Sequence, residues 1–480
     1  MEVRRLSRRR LLAGLGATAV AVLAACAPSP APTPAPAEQP KPGATPTPAP
    51  APEVKPLLAT PTPVPTLAPV PYKGGTKLLL RVHWSGVYFN DFQKIINEYN
   101  STQGEKDKIY VELQRFVAGQ AGPIATFIAD FQAGTQEDIY HLNDAYFADL
   151  ASRGFFRPPP PEIQSYIKEN WLETAVRAGI WEGKIMGYPT ENQTMAVFIN
   201  KKMAQEVGLD PEKSPPRTWE EQREWAKKLT KIEGGKKLRA GFVWHDANGE
   251  RQFVQRVVMH WLNGEDFVDT SVTPPKVNIA TDIGRMITEY WYKLAEDGSL
   301  SADLGQAPQV WGNRLGAINW HESFAVYFVL VTQGQPGILE EQHTLVPFSA
   351  DGSKRGSNTR NYHFLVSAKT KYPDECWKFL RWLNDGPEFR MQKFQTDVFG
   401  FVPSVKGYKL PDFFPAQMKE AYKKALENTT PMPVVRGLAQ LYNILRDNQD
   451  ALVLKKVKPA EAVQKMDQEF KQALKEAYSS

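Results

Sequence analysis

Residues 181–200 constrain the fold of this chain more than any other stretch, because they place polar residues between two segments with strand character. Residues 185–188 and 195–199 are apolar and β-prone, and Gly183 supplies turn chemistry before them. Residues 191–194 read Glu-Asn-Gln-Thr. Polar groups between buried strands must be hydrated or hydrogen-bonded. The stretch therefore predicts a hairpin that crosses between two lobes, with its polar residues either facing a water-filled cleft or hydrogen-bonded inside it.

The composition predicts a globular body of two packed domains. The chain has 480 residues, of which 42% are hydrophobic and 23% are charged. Its formal net charge is +5, but residues 1–25 hold five Arg and one Glu, a net of +4, so the remainder carries about +1. A nearly neutral body is not a nucleic-acid-binding surface. We therefore expect no nucleic-acid partner.

The two cysteines, Cys26 and Cys376, cannot form a disulfide framework within the body. Cys376 lies in residues 373–383, a helical pattern with apolar residues on one face. A free cysteine in such a pattern is typical of a small core residue. We expect Cys376 to be buried rather than to act as a nucleophile.

Residues 1–25 have the pattern of a secretory signal peptide, with Arg residues followed by an uncharged apolar run. The run is shorter than the roughly 20 apolar residues of a membrane-spanning helix. Residues 23–26 resemble the lipobox of bacterial lipoproteins, which implies lipidation of Cys26 and an extracytoplasmic protein anchored to the membrane. Residues 7–12 also resemble a twin-arginine motif, and both that route and the general export pathway stay open.

Residues 26–72 are predicted to form a tether behind the lipid anchor. From residue 27 to residue 71 the chain is rich in Pro, Ala and Thr and contains no aromatic residue. Such a composition buries too little apolar surface to offset the entropy of ordering. Proline-rich chains extend by about 3.1 Å per residue, so the tether would reach on the order of 100 Å.

The body alternates strand and helix patterns, which favours an α/β fold with a mostly parallel sheet. Predicted strands cover residues 77–82, 109–116, 240–244, 315–323, 345–348 and 362–367. Predicted helices cover residues 88–99, 123–132, 162–178, 215–229, 252–262, 282–294 and 373–383. Residues 415–428, 438–452 and 460–478 give a helical C-terminal region.

Candidate binding residues lie where predicted strands end, since ligands of open α/β sheets sit beyond the carboxyl ends of the strands. Trp84 follows the first strand, and Asp144 and Tyr146 follow residues 136–140, which we interpret as the approach to a further strand. Trp320 is predicted to offer a stacking surface near the end of its strand. The adjacent His321 and Glu322 would point to opposite faces of that strand, so they are not an acid–base pair.

Motifs of common enzymes are absent from the sequence. We find no phosphate-binding loop, no Gly-x-Ser-x-Gly elbow and no His-Glu-x-x-His pair. The seven histidines are scattered singly, so neither a metal nor a cofactor is expected. Glycosidase carboxylates come from distant positions, which leaves an anchored glycoside hydrolase as an alternative.

Three blocks in order, at residues 181–189, 197–201 and 216–221, resemble the sugar-binding extracellular solute-binding proteins of ABC importers, the family that includes maltose-binding protein. Residues 316–320 and 374–380 are similar to two further blocks. The resemblance implies a type II periplasmic-binding-protein fold, with two α/β lobes joined by hinge strands. The N-lobe would comprise residues 73–191 and 362–408, and the C-lobe residues 192–361 and 409–480.

The resemblance also implies a function without chemistry: a monomeric receptor that captures a carbohydrate, expected to be an oligosaccharide, and delivers it to an ABC permease. The ligand contacts that it implies, together with Trp84, are Asp144, Tyr146, Gln193, Trp320, Tyr362 and Tyr442. Gln193 is neutral where the family has a sugar-binding carboxylate. The same scaffold with another solute, such as a glycerol-phosphate or a polyamine, therefore stays open.

Overall fold

A computed structural model describes residues 66–84, 86–116, 122–245, 248–331 and 334–479. The predicted signal peptide, Cys26 and the tether as far as residue 65 lie outside the described residues. Within these ranges, none of the helices combines the length and the apolar character that a membrane span needs.

The described strands are β1 (Thr76–Val82), β2 (Ile109–Arg115), β3 (Ile139–Asn143), β4 (Phe156–Arg157), β5 (Ile180–Trp181), β6 (Lys184–Ile185), β7 (Gly187–Pro189), β8 (Met195–Asn200), β9 (Lys231–Glu233), β10 (Lys236–Phe242), β11 (Val268–Asp269), β12 (Lys276–Val277), β13 (Gly316–Glu322), β14 (Gln342–Leu345), β15 (Ser357–Thr359), β16 (Tyr362–Ser367) and β17 (Thr429–Pro431).

The described α-helices are α1 (Gly86–Ser101), α2 (Gln103–Asp107), α3 (Gly122–Ala133), α4 (Asp144–Ala151), α5 (Pro161–Asn170), α6 (Glu173–Arg177), α7 (Lys201–Glu206), α8 (Trp219–Leu229), α9 (Gly249–Leu262), α10 (Asp282–Glu296), α11 (Ala307–Gly312), α12 (Pro373–Asn384), α13 (Arg390–Lys393), α14 (Ala416–Glu427), α15 (Leu438–Val453) and α16 (Pro459–Ser479). Residues 278–280 form a 3₁₀ turn, and Val326–Val331 and Phe394–Val398 are π-helical.

Two sheets organise the two lobes. The sheet of the first lobe has the order β2-β1-β3-β16-β4, with β7 also paired to β16. The sheet of the second lobe has the order β14-β8-β13-β10-β9. Helices α14 to α16 follow, so the α/β fold and the helical C-terminal region are confirmed.

Strand directions differ from the mostly parallel sheet that the alternation predicts. Strands β1, β2 and β3 are parallel, as are β10 and β13. Strands β16 and β8, however, run antiparallel to their main neighbours β3 and β13. Each of these two strands enters its sheet directly from a segment between the lobes rather than through a crossover helix. No helical crossover therefore imposes a parallel direction on them.

Two segments that connect the sheets are hydrogen-bonded to each other. Residues 190–194 link β7 to β8, and residues 360–361 link β15 to β16. The Gln193 backbone amide donates to the Arg360 carbonyl at 2.8 Å, and the Thr190 amide donates to the Tyr362 carbonyl at 2.9 Å. We call these the crossing segments. Their polar backbone is thus satisfied by pairing, as burial requires.

The described end of the predicted tether, residues 66–72, lies along helix α1, and we call it the strap. The Leu67 amide donates to Asn90 Oδ1 at 2.8 Å, and the Val70 amide donates to Asn97 Oδ1 at 3.1 Å. Seven helical residues rise about 10.5 Å. Three residues of extended polyproline chain cover about 9 Å. The spacing of Asn90 and Asn97 along α1 is therefore close to the spacing of Leu67 and Val70 along an extended chain.

Further contacts fix the strap at its C-terminal end. Asn97 Nδ2 also donates to the Ala68 carbonyl at 3.1 Å, so a single amide side chain pairs with two backbone groups. The Tyr110 hydroxyl donates to the Val70 carbonyl at 2.7 Å, and the Tyr110 ring packs edge-on against Tyr72 at 5.2 Å. The sequence pattern for a tether therefore continues into a segment bound to the first lobe.

We expect Asn97→Ala to release the strap, because it removes both hydrogen bonds between Asn97 and the strap. The cost in unfolding free energy should be about 1–2 kcal/mol. Thermolysin should then cleave within residues 66–72 faster than in the wild-type protein. Asn443→Ala, at an exposed helical asparagine, is the control. Equal cleavage rates in the wild type and Asn97→Ala would contradict the expectation.

Candidate ligand-binding site between the lobes

A cavity of about 170 Å³ lies between the two sheets and is the candidate site. Its lining residues come from both lobes and from a crossing segment: His83, Trp84, Tyr88, Glu191, Gln193, Glu250, Arg251, Phe324, Phe328, Tyr362, Phe399 and Phe401. Seven of these twelve side chains are Trp, Tyr or Phe. A larger groove of about 520 Å³ lies elsewhere, but its charged lining residues, Arg177 and Asp266, are both exposed.

Three of the residues predicted from the sequence line this cavity. Trp84 follows β1, Gln193 lies in a crossing segment, and Tyr362 opens β16. The His83 ring stacks on Tyr362 with 4.4 Å between centroids, and Trp84 packs against His141 at 4.5 Å. The ends of β1 and β16 thus build an aromatic wall in the first lobe.

Arg360 joins both lobes behind the wall and is completely buried. Its Nε and Nη2 donate to Asp144 Oδ1 at 3.0 and 2.9 Å, and its Nη1 donates to Glu250. Asp144 opens α4 and also accepts from the Tyr442 hydroxyl at 2.7 Å. The predicted residues Asp144 and Tyr442 are therefore brought behind the cavity lining, Asp144 as a partner of Arg360 and Tyr442 as a partner of Asp144.

Glu250 lies in the first turn of α9, where a negative charge is favoured by the helix dipole. Burial opposes its ionisation, but the guanidinium groups of Arg360 and Arg251 hold the pKa of Glu250 below its usual value. Its side chain is 25% exposed, so it can be reached from the cavity. Glu250 is an ionised carboxylate at neutral pH.

Arg251 provides the guanidinium of the cavity lining. It pairs with Glu322, which ends β13 and is completely buried, and lies 4.4 Å from the centroid of Phe324. Burial lowers the pKa of Arg251 to about 10. The charge of Arg251 is therefore compensated on one side and covered by an aromatic ring on the other.

Glu191 is the most unusual group in the lining, because it is 1% exposed and forms no ion pair with the described residues, although the Arg360 guanidinium faces it. Its Oε1 accepts from Gln193 Nε2 and its Oε2 from Gln395 Nε2, both at 2.8 Å. Burial raises the pKa of Glu191 to about 8. The carboxyl is therefore mostly protonated at neutral pH.

The histidines around the cavity add no positive charge. Burial lowers the pKa of His83 to about 3 and that of His245 to about 4. It also lowers the pKa of His321 well below the usual value. The electrostatics of the site at neutral pH therefore come from carboxyl groups and guanidinium groups alone.

The structure places Tyr146 and Trp320 in hydrophobic cores instead of the cavity. Tyr146 is 1% exposed and packs edge-on against Phe116. Trp320 is 1% exposed and donates through Nε1 to Gln222 Oε1 of α8 at 3.2 Å. The interpretation of Trp320 as a stacking surface is not supported by this position, because its ring faces the helix behind the sheet.

Sequence reasoning placed Glu191 in the polar crossing but missed Glu250, Arg251, Arg360 and most of the aromatic residues around the cavity. Arg and Glu usually lie at the protein surface, so the residue types of Arg360 and Glu250 give no indication of a site. Only their position in the structure does. The available signal was position: Arg360 lies two residues before Tyr362, in the segment that returns to the first lobe. Phe399 and Phe401 follow the π-helical turn Phe394–Val398, whose geometry has no sequence signature that we could use.

Within the part of the chain that the structure describes, no group of three or more His, Cys, Asp or Glu side chains is placed to hold a metal ion. Cys376 is completely buried on α12, and burial raises the pKa of its thiol. The prediction of a core cysteine is confirmed.

We expect Glu191→Gln to gain stability relative to the wild type as pH rises. In the unfolded chain a Glu ionises near pH 4.5, whereas the folded Glu191 keeps its proton to about pH 8. The folded state thus binds one proton more in this window, and the wild type loses about 1.4 kcal/mol per pH unit on this account. Arg360, Glu250, Gln193 and Gln395 face this carboxyl and are unchanged in the variant.

The measurement is urea unfolding of both proteins at about pH 5 and about pH 8. The difference in unfolding free energy between Glu191→Gln and wild type should grow by several kcal/mol between the two conditions. A difference that does not change with pH would show that Glu191 is ionised in the folded protein.

We expect Trp320→Ala to destabilise the second lobe, because it empties a fully buried site. The loss in unfolding free energy should be about 3–5 kcal/mol. Trp320→Phe keeps most of the ring and loses only the hydrogen bond to Gln222, so its loss should be smaller. Urea unfolding of the two variants checks this, and a Trp320→Ala loss below about 1 kcal/mol would contradict core packing.

Comparisons with known proteins identify the family and the fold of this chain. The sequence profile of the bacterial extracellular solute-binding proteins matches residues 86–385. A putative binding protein of Brucella abortus (strain 2308) is 21% identical over 338 residues, which cover 69% of this chain and 78% of the relative.

Among solved structures, the sugar-binding protein MalE from the phytopathogen Xanthomonas citri has a TM-score of 0.68 at 16% identity, covering 84% of this chain and 98% of that chain. Maltose-bound MalE3 of T. maritima has a TM-score of 0.66 at 17% identity, covering 83% of this chain and 99% of that chain. These similarities show the two-lobed periplasmic-binding-protein fold. Because the profile spans more than half of the 480 residues, the chain belongs to the bacterial extracellular solute-binding protein family.

Proposed function

We propose that this protein is the extracytoplasmic receptor of an ABC importer, which captures a carbohydrate by lobe closure and delivers it to a membrane permease. The observation that carries the proposal is the cavity whose lining comes from both lobes. A ligand that contacts both lobes favours the closed arrangement over the open one by its differential affinity. Ligand binding and lobe closure are therefore thermodynamically coupled.

The chemistry of the lining supports a carbohydrate. Sugar rings present apolar faces that pack on aromatic side chains such as Trp84 and Tyr362, and hydroxyl groups that bond to Gln193 and Glu250. Structural neighbours are described as sugar-binding and as maltose-bound. At about 170 Å³ the cavity is smaller than the roughly 300–1,000 Å³ of ligand pockets for drug-sized molecules. We propose that it holds one ring, with the rest of a longer saccharide outside.

The membrane side of the proposal comes from the sequence. The family is extracellular by its description, which supports an extracytoplasmic location. Lipidation at Cys26, after removal of residues 1–25, would hold the receptor on the outer face of the membrane near its permease. A monomer suffices for this task, because the cavity needs no second copy.

Other solutes on the same scaffold are less well supported. A glycerol-phosphate would need free guanidinium groups, but Arg251 is paired with Glu322, and Arg360 with Asp144 and Glu250. A linear polyamine would need carboxylates spread along the cleft, whereas the walls here are mainly aromatic. A carbohydrate uses both the rings and the compensated charges.

One observation favours a second candidate, a glycoside hydrolase. Glu191 is mostly protonated and Glu250 is ionised, and such pairs provide the acid and the base of glycosidases. Against this, both Glu191 oxygens are held by glutamine amides, and Glu250 is bound to Arg360. Reducing sugar released from oligosaccharides by the purified protein, and lost in Glu250→Gln, would favour the hydrolase.

We expect a bound sugar to raise the unfolding free energy, by about 2.7 kcal/mol at a concentration 100 times its dissociation constant. The measurement is thermal shift of the purified protein against a panel of mono- and oligosaccharides. Phe328→Ala should weaken the binding of a hit about tenfold or more, since Phe328 lines the cavity and is 37% exposed.

Tyr372→Ala is the matched control, because Tyr372 is 38% exposed and is not in the cavity lining. It should leave the affinity unchanged. Small-angle X-ray scattering with and without the hit tests closure, which should reduce the radius of gyration. A panel without any shift would count against a carbohydrate receptor, and equal affinity in Phe328→Ala would place the site elsewhere.

A further inference from the structure

The groups around the cavity contain more acids than bases. Four carboxyl groups lie in or directly behind the lining, and two guanidinium groups compensate them: Asp144, Glu191, Glu250 and Glu322 against Arg251 and Arg360. The histidines of the site are neutral. A neutral ligand would bring no positive charge to balance this excess of carboxyl groups.

The ion pairs show which acid is left over. Arg360 pairs with Asp144 and Glu250, and Arg251 pairs with Glu322 while lying 3.6 Å from Glu250. Glu191 has only the amides of Gln193 and Gln395 as partners within the described chain. A buried carboxyl without a cation is costly to ionise. It therefore offers a place for a cation that the protein itself does not supply.

The walls around Glu191 suit a cation as well. Seven aromatic side chains line the same cavity, among them Trp84, Tyr88 and Tyr362. A cation over an aromatic face is attracted by the negative face of the ring, and more strongly when it is shielded from water. The lining already contains such a contact, with the Arg251 guanidinium 4.4 Å from the centroid of Phe324. Rings and a carboxyl together recognise a compact ring that bears an ammonium group.

Building on the receptor function proposed above, we propose that the carbohydrate is a basic amino sugar, whose ammonium group pairs with Glu191 while its ring packs on the aromatic wall. The cavity of about 170 Å³ is of the size of one such ring. Glu191 is thereby the residue that determines specificity against neutral sugars.

The ionisation of Glu191 gives the proposal a second readout. The free protein holds a proton on this carboxyl up to about pH 8, and an ammonium group beside it favours the ionised form. Binding below that pH therefore transfers the proton from Glu191 to the buffer. Arg360 and Glu250, the charged groups that face Glu191, keep their mutual pairing.

The test is isothermal titration calorimetry of the full chain at about pH 6.5, with D-glucosamine, D-glucose and N-acetyl-D-glucosamine as probes. We expect glucosamine to bind the wild type at least about tenfold more tightly than either neutral sugar, which corresponds to about 1.4 kcal/mol. Titrations in two buffers with different ionisation enthalpies should show release of up to about one proton per glucosamine bound.

Glu191→Gln should bring glucosamine to within about threefold of glucose and abolish the proton release. Glu427→Gln makes the same side-chain substitution at an exposed helical position and should keep the preference and the proton release of the wild type. The urea unfolding described above shows that Glu191→Gln is folded before it is titrated.

Two failures can be told apart. Tight binding of glucose or N-acetylglucosamine, equal to that of glucosamine, would overturn the amino-sugar inference and leave the receptor function standing. A preference for glucosamine that survives in Glu191→Gln would likewise overturn it. Lack of binding by all three probes would overturn the inference together with a one-ring carbohydrate site.

Discussion

The buried guanidinium group of Arg360 is the constraint on which the arrangement of the two lobes depends. A fully buried cation must be compensated, and here the compensation comes from α4 in the first lobe and α9 in the second. Removing Asp144 or Glu250 would leave the Arg360 guanidinium with one fewer carboxylate to compensate its charge. The same network explains why Glu191 stands apart: the two guanidinium groups of the site are already taken by Asp144, Glu250 and Glu322.

The fold could be predicted from the sequence to the extent that it depends on local patterns. Strand and helix periodicity predicted β1 within a residue and a helix over residues 215–229, most of which α8 (Trp219–Leu229) occupies in the structure. Strand direction could not be predicted in this way. Whether β16 and β8 run parallel or antiparallel is decided by the route of the chain between the lobes, and that route is a long-range property.

The candidate site likewise contains some residues that local sequence patterns predict and others that only long-range contacts bring together. Trp84, Gln193 and Tyr362 were found because strand ends and a polar crossing are visible in sequence. Arg360 reaches its carboxylates across 216 and 110 residues of chain, a separation at which sequence spacing carries no geometric information. Trp320 illustrates the other limit. A strand has two faces, and sequence alone could not tell which of them looks into the cleft and which packs on α8.

The strap on α1 has a mechanical consequence for the whole molecule. Because the strap is hydrogen-bonded to Asn90 and Asn97, the chain is first attached to the body at the side of α1 and not at the start of β1. Helix α1 also carries Tyr88, which lines the cavity. A pull from the N-terminal side then reaches the first lobe through the side of α1, the helix that carries Tyr88, before it reaches β1.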